Sequence, residues 1–157
     1  MDSRLERQRW MATLAKADPA QLQACVEQLA DDSGLPLPTY QLLRSPETGL
    51  VMVRGRAGGT GQVFNLGEMT LTRCVVQMTG PTGEPLITGF GYVPGRSHHH
   101  AELAAFCDAL MQMEVWRDRV QAHVIRPLQA EAQQQQESQQ RQTAATRVNF
   151  FTLQRGE

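Results

Sequence analysis

The chain has 157 residues, a length that fits a single domain able to bury roughly two-thirds of its unfolded surface without disulfides. Apolar residues make up 41% and charged residues 20%, which excludes the low-hydropathy, high-charge compositions that stay disordered. A net charge of −1 supplies no global field for nucleic acid or an anionic membrane, so neither is expected as a partner.

Met1 leads straight into the charged segment Asp2 to Arg9, and no run of about eighteen apolar residues follows. The three cysteines, Cys25, Cys74 and Cys107, are far apart and form no CxxC pair. A reduced cytoplasmic protein, neither exported nor membrane-spanning, is the expectation. Of the fifteen basic residues only Lys16 is a lysine. Arginine's planar fork suits bidentate carboxylate or phosphate contacts, and a genome that favours arginine codons accounts for the bias equally well.

In chain order, Leu5, Trp10, Met11 and Leu14 fall on one helical stripe, and Asp18-Pro19 then offers an N-cap with proline at the first helical position. Leu22, Cys25, Val26 and Leu29 predict a second helix, packed inward up to Asp31-Asp32-Ser33-Gly34. From Leu35 to Gly95 prolines and glycines punctuate short runs at Tyr40 to Leu43, Leu50 to Val53, Thr70 to Met78 and Leu86 to Tyr92, which read as strands. Gly80-Pro81-Thr82-Gly83 is a turn that returns the chain as an antiparallel neighbour. Leu103, Phe106, Cys107, Leu110 and Met111 then define a helix capped by Ser97, and a further helix carries Trp116, Val120 and Val124 to a break or kink at Pro127. The fold class is therefore α+β: a central antiparallel sheet of about four strands, N-terminal helices and long C-terminal helices. One domain spans 1–128. Residues 129–157 form an arm, with eight glutamines between Gln129 and Gln142, ending in the apolar segment Val148 to Leu153.

Three constellations invite chemistry. Arg56, Gly58, Gly59, Thr60 and Gly61 have the composition of an anion-binding turn, but no GK[ST] follows and a hairpin or bulge is the simpler account. Arg96 precedes the helix capped by Ser97, where a phosphate or carboxylate can meet free amides; a plain cap beside a surface arginine is the alternative. His98 and Glu102 are i, i+4 neighbours in His98-His99-His100-Ala101-Glu102, yet two ligands make no site and HExxH is absent. A solvated first turn is preferred there, with one histidine as a proton carrier. Neither a GxSxG elbow nor a paired-carboxylate set occurs, and Cys74 and Cys107 lie in apolar surroundings. No catalytic residues are assigned, and no metal or cofactor is expected for the chain itself.

Read together, several segments resemble the PhnG subunit family of the bacterial carbon-phosphorus lyase system. They are the Arg-x-x-Trp-Met start at Arg7 to Met11, Glu47 to Val51, the run Arg56 to Gly61, and Thr70 to Arg73. The series continues with Gly95-Arg96, His100 to Glu102, Asp108 to Gln112 and Arg147 to Thr152, in the family's order over nearly the whole chain. Ser97 and Asn149 stand where the family often has aspartate, and the glutamine run is unusually long. The resemblance implies an accessory subunit, in two copies, of a two-fold symmetric core complex with PhnH, PhnI and PhnJ, acting in phosphonate use under phosphate starvation. With PhnH, PhnI and PhnL, such a subunit takes part in displacing adenine from MgATP by methylphosphonate, giving α-D-ribose 1-methylphosphonate 5-triphosphate. It further implies that nucleosidase-like chemistry belongs to PhnI, and radical cleavage, with an iron-sulfur cluster and S-adenosylmethionine, to PhnJ. Candidate anion or partner contacts are then Arg56, Gly58, Gly59, Thr60, Gly61, Arg73, Arg96, His100 and Glu102, with Arg147, Phe150 and Phe151 as partner-docking residues. The alternative is a homodimeric module binding an anion or other small ligand.

Overall fold

The computed structural model describes residues 3–78 and 86–145. Two helices, α1 (Ser3–Lys16) and α2 (Pro19–Ser33), precede three strands, β1 (Tyr40–Arg56), β2 (Val63–Met78) and β3 (Ile87–Pro94). Three helices follow: α3 (His98–Gln112), α4 (Glu114–Val120) and α5 (Arg126–Ala145). The α+β class expected from the sequence is observed. The boundaries follow local chemistry: the Asp18 carboxylate accepts from the Ala20 and Gln21 amides at the start of α2, and Gly34, with φ 62°, ends it in the left-handed conformation that glycine adopts without strain. Ser97 caps α3 by accepting from the His100 amide at 3.2 Å.

The sheet has three strands, in the order β1-β2-β3, where the sequence suggests about four. The runs Tyr40 to Leu43 and Leu50 to Val53 belong to one strand, because Ser45-Pro46 does not end it. Register shifts between Leu42 and Arg44 and between Arg44 and Glu47 let the chain carry proline within an edge strand, where its missing N–H breaks no essential ladder. The turn at Gly80 to Gly83 lies outside the described residues, but its consequence is visible: β3 returns antiparallel to β2, from Met78 opposite Ile87 to Leu71 opposite Pro94. Nor does Pro127 break its helix. A π-helical turn over Gln121–Ile125 immediately precedes it, and that widened turn accommodates the ring so that α5 runs on.

The core lies between one face of the sheet and the helices. Cys74, Val76, Met78 and Val93 project from the sheet onto Phe106, Leu110 and Ala105 of α3, and Leu14, Leu22, Leu29, Trp116, Val124 and Leu128 close the other side. Strand and helix approach with almost nothing between them: a Cβ at Gly91 would lie 2.0 Å from the Ala101 carbonyl oxygen, and one at Gly89 would lie 2.0 Å from that of Ala105. Only glycine permits this contact.

A buried carboxylate ties the layers together. Asp108 of α3 has no exposed side-chain surface. It accepts from Arg7 Nε at 3.2 Å and Nη2 at 2.6 Å, from Trp10 Nε1 at 2.9 Å and from the Phe90 amide at 3.0 Å. One anion thus holds α1, β3 and α3 in register, and the Arg7 guanidinium also lies 5.6 Å from the centre of the Phe90 ring. Removing a partner from such a group strands the others without water. Asp108→Ala is expected to cost about 3 kcal/mol in urea unfolding, at the low end for broken buried pairs because Arg7 keeps some access to solvent. A loss under about 1 kcal/mol would show that Asp108 is not the anchor.

Candidate functional site

The strand alternation that aims Cys74 and Val76 at α3 aims Arg73 and Tyr92 at the opposite face of the sheet. Glu47 stands opposite Arg73 across the β1–β2 ladder and accepts from its Nε, as well as from Arg44 Nη1 at 2.7 Å. The bonds from Arg44 and then Arg73 hold the Glu47 carboxyl below its ordinary range. Beside this cluster lies an open depression of about 390 Å³ lined by Gly49, Val51, Leu71 and Tyr92. A larger groove of about 580 Å³ runs between the C-terminal half of α1 and α5, past Thr13, Lys16, Gln129 and Gln133, and holds none of the candidate site residues.

Arg56, Gly58, Gly59, Thr60 and Gly61 form the tip of the β1–β2 hairpin, closed by a 3-10 turn over Ala57–Gly59. Gly58 and Gly59 take φ values of 59° and 79°, and Arg56 Nη1 donates to the Gly61 carbonyl at 3.1 Å. The hairpin account of this run is the observed one. Nine strand steps separate Glu47, opposite Arg73, from Arg56, or about 30 Å at the strand rise of roughly 3.3 Å per residue. Arg56 and Arg73 therefore do not share a pocket within this chain.

The histidines fan out to different partners. His98 Nε2 meets Thr48 Oγ1 at 3.2 Å, His99 Nε2 meets Gln23 Oε1 at 3.3 Å, and the buried His100 directs Nε2 at the Leu14 carbonyl, 2.8 Å away. His100 must carry its proton on Nε2 to make that bond. It joins α3 to the end of α1 inside the core. A directional chain follows from the buried Thr72, whose hydroxyl donates to the Gly95 carbonyl at 2.7 Å. Thr48 then donates to Thr72 Oγ1 at 3.0 Å and accepts from His98, which fixes Gly95 beside the start of α3. Glu102 accepts from the Tyr40 hydroxyl at 2.6 Å, and burial, followed by that bond, raises the Tyr40 pKa above its ordinary value. Arg96 is exposed at the turn between β3 and α3, with no hydrogen-bond or ion-pair partner among the described residues. Arg147, Phe150 and Phe151 lie outside the described residues.

Asp108 is the polar residue whose role the sequence conceals. It sits in an apolar helical run, and its partners Arg7 and Trp10 are 101 and 98 positions away. Among the described residues no group of three or more His, Cys, Asp or Glu side chains is placed to hold a metal ion, and no helix is long and apolar enough to cross a membrane.

The architecture defines a small two-layer α+β protein in which the described helices cover one sheet face and the candidate polar residues are distributed instead of converging. The model of the family described as phosphonate metabolism protein PhnG matches residues 5–156. A curated relative from Rhizobium meliloti (strain 1021), the alpha-D-ribose 1-methylphosphonate 5-triphosphate synthase subunit PhnG, is 41% identical over 155 residues, covering 97% of this chain and 90% of the relative. The chain belongs to the PhnG family.

The thiols supply a test of the packing around these residues. Burial pushes Cys74 up to about 11 and Cys107 up to about 12, and raises the less enclosed Cys25 as well. A thiol with a raised pKa stays protonated at pH 8 and does not act as a nucleophile. The folded protein should therefore leave Cys74 and Cys107 unalkylated by iodoacetamide at pH 8, while all three react in urea. The linkage has a definite sign. Above pH 9 the unfolded chain releases thiol protons that the folded chain retains, so this contribution to stability falls as pH rises from about 9 toward 12. Rapid labelling of Cys107 in the native protein would contradict the packing.

Proposed function

We propose that this chain is the accessory PhnG subunit of a carbon-phosphorus lyase core complex and takes part in making α-D-ribose 1-methylphosphonate 5-triphosphate from MgATP and methylphosphonate. In that reaction a phosphonate oxygen bonds to the anomeric carbon of the ribose as the bond to adenine breaks, and adenine leaves. The observation that carries the proposal is the 41% identity, across 97% of this chain, to a relative named as a subunit of that synthase. The scattered placement of the polar residues supports an accessory role, since acid–base and nucleophilic catalysis both need groups within hydrogen-bond reach of one reacting centre. PhnI and PhnH in the core, with PhnL, are the partners in this step, and PhnJ carries the later radical cleavage with its iron-sulfur cluster and S-adenosylmethionine. Two copies of the chain serve one two-fold symmetric cytoplasmic complex.

Arg96 is the side chain best placed to reach outward from this fold toward a phosphate or a partner's carboxylate. His100 makes a poor probe, because its ring is spent on the Leu14 carbonyl in the core. Omitting this chain from a reconstituted set of subunits should abolish adenine release from MgATP with methylphosphonate, and the chain alone should be inactive. Arg96→Ala should slow the assembled complex about tenfold, the equivalent of losing one charge-assisted hydrogen bond of about 1.5 kcal/mol. Turnover by the isolated chain would refute the accessory role, and unchanged kinetics in Arg96→Ala would remove Arg96 from it.

A further inference from the structure

Strand β3 ends at Pro94, opposite Leu71, but β1 and β2 continue as a two-stranded ribbon from the Leu50–Thr70 pair to the Arg56–Val63 pair. Six further steps of strand extend it by roughly 20 Å. A hairpin of two strands is marginal in water when nothing covers it. Its two faces differ in charge. Strand alternation and the ladder partners put Val51, Val53, Phe64 and Met69 on one face, and Leu66 joins them at a bulge, lying over the space that Gly55 leaves open. Phe64 is 46% exposed and Leu66 62%. This face carries no charge beyond the Glu47–Arg73 pair at its base. The other face carries Leu50 and Met52, then Arg54 and Arg56 with Val63 toward the tip, and Glu68 as the ribbon's one acid.

We infer that this ribbon is the element inserted into a cleft of another synthase subunit, a cleft with one apolar wall and one wall bearing carboxylates. The inference rests on the assembly role proposed above and names the part of the chain that performs it. Apolar side chains on one face demand an apolar wall, and two arginines on the reverse, opposed by a single glutamate, demand acidic groups on the other wall. A second copy of this chain answers that charge poorly, because its own ribbon brings the same cations. The edge of β1 agrees with this assignment. Pro46 and the adjacent register shifts obstruct strand addition along its first half; the half beyond Thr48 has no proline, and its one register shift, between Val53 and Arg54, places the extra residue, Leu66, on β2 and not on the open edge. The polar α5 arm, exposed from Ala132 onward among the described residues, offers no comparable apolar surface.

The test is co-elution of the full chain with a tagged complex of the other synthase subunits expressed together. Phe64→Asp with Leu66→Asp, and separately Arg54→Glu with Arg56→Glu, should each lower the retained amount at least tenfold. The isolated variants should keep the wild-type urea midpoint, since none of these residues belongs to the buried core. A chain truncated after Ala145 serves as the comparison and should retain more than either ribbon variant. Retention of both ribbon variants at the wild-type level would overturn the ribbon and leave the assembly role standing. Failure of the wild-type chain itself to co-elute would overturn both, and a dimer of the isolated chain that either ribbon variant dissolves would show that the cleft belongs to a second copy.

Discussion

The constraint on which the structure depends is the satisfaction of one carboxylate shut away from water. Asp108 ionised in the core would be intolerable alone, and its hydrogen bonds from Arg7, Trp10 and the Phe90 amide leave it few alternatives. Those donors come from α1 and β3, so meeting the demand fixes α1 beside the sheet edge and α3 across the sheet. Once α3 is held there, Gly89 and Gly91 let its backbone ride directly on β3, and Cys74, Val76 and Val93 find their cover. The opposite sheet face and the distal ribbon are what the described helices leave uncovered.

The same economy explains why side chains that look reactive do so little within the chain. His100 braces α3 against α1, Glu102 holds the start of β1 through Tyr40, and Glu47 occupies Arg73. Each is committed to a different neighbour. Their bonds hold elements of the fold together and do not converge on one point.

Much of this was legible in the residues. Asp18-Pro19, Gly34 and Ser97 marked helix ends through capping chemistry that depends on nearest neighbours, and the apolar spacing of α2 and α3 identified their buried faces. What depends on distant partners was not legible. Pro46 reads as a strand break unless the register shifts on an edge strand are known, so one long strand looked like two. Pro127 reads as a break or kink in its helix because the π turn before it leaves no mark in the residue pattern. Asp108 reads as an ordinary helix residue, since the groups that justify its burial lie about a hundred positions earlier. The glycine turn was recognisable as a hairpin tip, but the length of ribbon behind it depends on where β3 stops.

The central claim is that the Asp108-anchored body is complete in itself while the β1–β2 ribbon becomes complete only in company. Amide hydrogen exchange on the chain alone and in the assembled complex measures this most directly. The account predicts that amides of Cys74 to Met78 and of α3 are slow in both states, whereas those from Val51 to Met69 exchange quickly in the free chain and slow markedly on assembly. Equal exchange across the ribbon in the two states, with protection appearing elsewhere, would contradict it.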